Sequence, residues 1–144
     1  MGIDLNDLPE SYRAYVKAQE QKKKRTKYGN TPTTRGNHKF DSQKEANRWD
    51  ELLVMYTTGA IRNLRRQQEF RLMGSFIDVD GERVRGISYV ADFSYEEKHT
   101  DRYGTEVWIK VVEDTKSAAT AKDPKYVIKS KLMRDVFGIT IREV

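Results

Sequence analysis

"YVADFSY", residues 89–95, and "WIKVVEDTK", residues 108–116, decide how this chain reads. Both runs have the aromatic and β-branched content of buried strands. Yet they carry Asp92, Asp114 and Lys116, side chains that are costly to bury. Side chains alternate across a strand. Val112, Asp114 and Lys116 therefore share one face of the second run, and Val111, Glu113 and Thr115 the other. On the first run Val90, Asp92 and Ser94 lie opposite Tyr89, Ala91, Phe93 and Tyr95. Pairing the runs as a hairpin lets Asp92 and Asp114 converge. Two carboxylates forced together repel, and an unpaired buried charge costs several kcal/mol even after relaxation. A divalent cation offsets that cost. Magnesium takes oxygen ligands, often one or two carboxylates completed by water and phosphate. The plainer alternative is a salt bridge between Asp114 and Lys116 at a strand end, with Asp92 facing solvent.

Working outward, "DSQKEANRWDELLVMYTTG", residues 41–59, reads as a helix stopped by Gly59. Its apolar stripe is Trp49, Leu52, Leu53 and Tyr56. Glu45 fits the capping box of "SQKE", residues 42–45. It also shares a helical face with Trp49, Leu52 and Tyr56, which aims a third acid at the sheet. Residues 67–79 read as a strand, turned by Asp80-Gly81 into a returning strand over 84–95. Residues 96–106 read as a loop. Asp123 caps a second helix with Pro124 in its first turn and Gly138 after its end. That helix offers Tyr126, Ile128, Leu132, Met133, Val136 and Phe137 to the core, and residues 139–144 form a last strand. The order is α-β-β-β-α-β, ending in a parallel, right-handed crossover. The expected class is α/β, a mixed central sheet flanked by helices. Trp49 and Trp108 read as core, and His38 and His99 as isolated surface or loop residues without metal spacing.

With 144 residues the chain has the length of one domain. Charged residues make up 34% and the net charge is +5, which favours an anionic partner. There is no cysteine, so neither a disulfide nor a thiolate zinc site can form. No run reaches the length of a membrane span, and no signal-peptide core opens the chain, so the cytoplasm is the expected location. Residues 1–36 read as a basic N-terminal arm with a helix over 9–25, ahead of a core domain over 37–144. Lys22, Lys23, Lys24, Arg25, Lys27 and Arg35 belong to a stretch without acids. They suit contacts to nucleic-acid phosphates, as do Lys122 and Lys129 closer to the acidic pair. Arg62, Arg65 and Arg66 form another basic cluster.

Asp92, followed by Asp114-Thr115-Lys116 on the next strand within α-β-β-β-α-β, resembles the PD-(D/E)XK nuclease superfamily. Ala91 stands where the superfamily often has proline. "KYGN", "FDSQKEANRW", "GAIRNLRRQQEFRL", "YVADFSY" and "VVEDTK" further resemble a family of short phage and prophage proteins in that superfamily, compared with phage Holliday-junction-resolving endonucleases. The resemblance implies a restriction-endonuclease-like core and magnesium-dependent DNA cleavage, with manganese able to substitute. It implies that Glu45, Asp92 and Asp114 bind metal and that Lys116 assists the attacking water. Gln67 matches the family's glutamine, with Gln68 where proline is usual, and Glu113 resembles one of its paired acids. The expected function is a structure-selective endonuclease for branched or junction DNA, of phage origin, acting in the host cytoplasm as a homodimer. The alternatives are a non-catalytic DNA-binding accessory protein on the same scaffold, or an enzyme that nicks or cuts linear duplex.

Overall fold

The computed structural model describes residues 32–144. The expected helix over 9–25 lies outside the described residues, as do Lys22, Lys23, Lys24, Arg25 and Lys27. The chain divides into two units, Met1–Ala46 and Asn47–Val144.

In the first unit, β1 (Thr33–Arg35) and β2 (His38–Phe40) pair antiparallel. Arg35 and His38 therefore sit in a hairpin, opposite each other in register, where an arm and a loop were expected. Phe40 is buried, with the His38 ring edge-on to it. Helix α1 (Gln43–Thr57) begins in this unit and continues into the second.

The second unit is built on a four-stranded mixed sheet. It comprises β3 (Ile61–Met73), β6 (Ile87–Thr100), β7 (Glu106–Asp114) and β8 (Arg142–Glu143), in the order β3-β6-β7-β8. The first two pairings are antiparallel and the last is parallel. Between β3 and β6 a small ribbon forms from β4 (Phe76–Ile77) and β5 (Arg83–Val84). Its turn is organised by Asp78, whose carboxylate accepts from the Asp80 and Glu82 amides. The single strand expected over 67–79 is thus a longer strand starting at Ile61, followed by a separate ribbon. The expected loop over 96–106 is largely strand. β6 runs to Thr100, and the turn is held by Asp101, which accepts from the Tyr103 and Thr105 amides.

After β7 come the one-turn helix α2 (Ala118–Ala121) and helix α3 (Pro124–Phe137). Asp123 accepts from the Lys125 amide and Pro124 opens α3, as the sequence indicates. Gly138, at φ 67°, closes it in the left-handed conformation that glycine adopts without steric cost.

Two patches of core meet the sheet. Trp49 of α1 stacks on Phe93 at 5.9 Å. Met133 of α3 packs with Phe70, Leu72, Tyr89, Ala91, Val112 and Ile141. Glu113 bonds to Arg48 of α1, while its neighbour Val112 packs with Met133. Consecutive strand residues face opposite sides, so the two helices cover opposite faces of the sheet. Each covers less than its apolar sequence suggests. Leu53 and Tyr56 on α1 and Ile128, Val136 and Phe137 on α3 are exposed. Trp108 is only half-buried. Cations flank it, with Arg62 4.4 Å and Lys98 5.4 Å from its ring.

Candidate metal and phosphate site

The unbroken register of β6 with β7 pairs Phe93 with Glu113. Extended by one residue, it sets Asp92 opposite Asp114. The Asp92 carboxylate lies close enough to act on Asp114, and its Oδ2 accepts from the Thr115 amide at 2.8 Å and the Thr115 hydroxyl at 2.7 Å. Asp114 is 1% exposed. Its Oδ2 accepts from the Tyr89 hydroxyl at 2.6 Å. Its Oδ1 accepts no hydrogen bond; Lys116 Nζ is 3.2 Å away, outside hydrogen-bonding geometry. The Lys116 ammonium also sits 5.1 Å from the Tyr126 ring, whose hydroxyl donates to Glu143. Burial, and next the adjacent Asp92, push the Asp114 carboxyl up to about 7, against the weaker opposing effects of Tyr89 and Lys116. Asp114 therefore holds its proton up to near neutrality, beside the Asp92 carboxyl.

Two contributors depart from the alternation that the sequence suggested. Tyr89, assigned to the face opposite Asp92, reaches Asp114. Tyr89 and Ala91 pack with the α3 core, whereas Phe93 and Tyr95 contact Trp49 and Glu113. The change falls beside Gln67, a non-glycine residue at φ 50° between Arg66 and Gln68, which pair with Phe93 and Ala91. A left-handed residue inside a strand re-aims the side chains around it. Thr115, assigned to the face of Glu113, lies just past the last β7 residue and is released from the pleat. It turns both of its donors to Asp92. No signal in the sequence pointed to Tyr89; Thr115 was present as the unassigned middle residue of Asp-x-Lys.

The remaining expected residues are placed as follows. Glu45 is buried in the first turn of α1; its amide donates to Ser42 Oγ at 3.1 Å and its Oε2 accepts from the Asp41 amide at 3.2 Å. That is a capping arrangement shifted one residue toward the N-terminus. Glu113 is fully buried on the α1 side. It accepts Arg48 Nε at 2.9 Å and Nη2 at 2.7 Å, and also the Tyr95 hydroxyl. It faces the side of the sheet opposite Asp114. Gln67 is exposed, whereas Gln68 Oε1 accepts from Lys110 Nζ at 3.1 Å and from the Ser94 hydroxyl. Lys122 caps the end of α2 and is exposed; Lys129 on α3 is half-buried. Among the described residues no three of His, Cys, Asp or Glu form a metal-holding group, and no helix is long and apolar enough to cross a membrane.

This is a mixed α/β protein with a carboxylate pair, Asp114 buried and Asp92 half-buried, at the end of two paired strands. Residues 25–139 match the family described as "Protein of unknown function (DUF1064)", and the chain belongs to that family. Neither the curated proteins nor the solved structures give a match.

Proposed function

We propose that the protein is a divalent-metal-dependent DNA endonuclease of the PD-(D/E)XK type, with branched or junction DNA as the expected substrate. The observation that carries this reading is the Asp92–Asp114 dyad, with a buried Asp114 Oδ1 that accepts no hydrogen bond and a lysine 3.2 Å away. The donor set fits magnesium, which needs only one or two protein carboxylates when water and phosphate complete its shell. Asp92 and Asp114 would hold it, with manganese as a substitute. Bound there, it would supply Lewis-acid activation of water and of the phosphoryl oxygen.

The protein's own residues do the rest. Thr115 fixes Asp92, and Tyr89 fixes Oδ2 of Asp114, leaving Oδ1 as the presented ligand. Such supporting bonds orient ligands and tune their basicity. Lys116, tethered over Tyr126, offers an ammonium beside the dyad to orient water or stabilise charge on phosphorus. Glu45, in the other unit, enters the proposal as a third acid through the resemblance alone. Symmetric cutting of a junction needs two active sites, so the reading includes a homodimer.

The test is incubation with four-way junction, nicked and linear duplex DNA, with and without magnesium. Metal-dependent cleavage, fastest on the junction, is the expected result. Binding without cleavage of any substrate would leave only an accessory DNA-binding role. A second expectation follows from the proton that Asp114 keeps up to about 7. Metal must displace it, so manganese affinity measured calorimetrically should rise about tenfold per pH unit below 7 and level off above. A pH-independent affinity would place the ion elsewhere.

A further inference from the structure

Lys110, Val112 and Asp114 alternate along one face of β7, in unbroken register with Glu96, Ser94 and, by extension, Asp92 on β6. Lys110 is four residues from Asp114, roughly 13 Å at the rise of a strand. Val112 is covered by Met133, while Lys110 is only half-buried. Its Nζ donates to Gln68 Oε1 at 3.1 Å, and the Ser94 hydroxyl donates to the same oxygen. Lysine can only donate, so this contact fixes the Gln68 amide with its oxygen inward. The amide NH2 is left with no hydrogen bond to the described residues.

Arg65, paired in register with Ser94, is exposed and makes no ion pair among the described residues. Two cations are therefore neighbours, and the acid that acts on Lys110, Glu96 opposite it in register, is already held by Arg62 and by Asn63 at 2.9 Å. The Lys110 ammonium is pushed down, by desolvation first and then by Arg65, against a weaker opposing effect of Glu96. Like charges held together by a rigid polar scaffold favour an anion between them.

The geometry points to Arg65, Lys110 and the Gln68 amide as a phosphate-binding cradle that holds a nucleic-acid backbone on the sheet face leading to the Asp92–Asp114 dyad. This rests on the nuclease reading for its substrate, but its test needs no cleavage. The cradle offers a guanidinium, an ammonium and an amide NH2, which together match the oxygens of one phosphodiester. It carries no donor aimed at base edges, so it positions the strand without reading sequence.

The experiment is fluorescence anisotropy with a labelled four-way junction in calcium, over a range of salt, on the full chain. The variants are Arg65→Gln/Lys110→Gln and the charge-matched control Arg83→Gln/Arg85→Gln on and beside the β4–β5 ribbon. The cradle variant should bind about tenfold more weakly, with a salt slope shallower by about two, and the control should keep the wild-type slope. Inorganic phosphate, titrated as competitor, should shift the wild-type curve far less than polyphosphate if a backbone is the ligand. A cradle variant indistinguishable from wild type or from the control overturns the inference and leaves the nuclease reading standing. A wild-type protein that binds no DNA overturns both. Arg65→Gln alone, at an exposed position, carries the test if the double variant fails to fold.

Discussion

Arg48→Ala is expected to destabilise the protein by about 3–5 kcal/mol, the usual cost of removing one partner from a buried ion pair. Glu113 is fully buried, and Arg48 supplies two of its hydrogen bonds in a forked geometry. Without the guanidinium, Glu113 keeps the Tyr95 hydroxyl and a distant Arg142, whose Nη1 is 3.8 Å away. The same carboxylate raises the Arg48 guanidinium above its ordinary value, chiefly through that hydrogen-bonded contact. Urea denaturation should show the midpoint falling with the slope unchanged. Pairing Arg48→Met with Glu113→Leu should recover most of the loss, because an apolar pair carries no desolvation penalty. A loss below about 1 kcal/mol in the single variant would mean that Arg142 moves in to replace Arg48.

Asp114→Asn should act in opposite directions on stability and on function. In the folded protein the Asp114 carboxyl keeps its proton up to about 7, against an ordinary value of 3.8. Between those limits the native state binds the extra proton, so stability falls as pH rises from about 4 to 7 and is flat above. The burial of this carboxylate is therefore unfavourable at pH 8 in metal-free protein. Asparagine removes the charge while keeping an oxygen for Tyr89. The variant should be more stable than wild type by about 1–3 kcal/mol at pH 8 and equal to it near pH 4. If the proposed nuclease reading holds, cleavage should fall by at least about a hundredfold, because Asp114 is a proposed ligand to the metal. Chemical denaturation at the two pH values and a junction-cleavage time course read both effects. A variant that is destabilised at pH 8 would show that the Asp114 charge is already compensated by Lys116.

The pairing of Asp92 with Asp114 was legible because alternation and register are enforced by a long regular strand pair, β6 with β7. Helix α3 was legible through its local chemistry: Asp123, Pro124 and Gly138 act within a few residues of themselves. What could not be read were effects of tertiary geometry. Gln67 at φ 50° carries no composition signal, yet beside it the contacts of β6 change sides and Tyr89 comes to Asp114. Thr115 escapes the pleat because β7 stops at Asp114. Trp108 looked like core by its residue type, but it is only half-buried and cations flank its ring. Glu45 carried two compatible readings in the sequence, and its hydrogen bonds show the capping one.

The most direct measurement is anomalous diffraction from a crystal soaked in manganese at pH 8, where Asp114 has lost its proton. The account predicts one strong peak bonded to Asp114 Oδ1 and to Asp92, near Lys116 Nζ. Density free of any ion between those two carboxylates, in crystals of protein that cuts DNA, would contradict it.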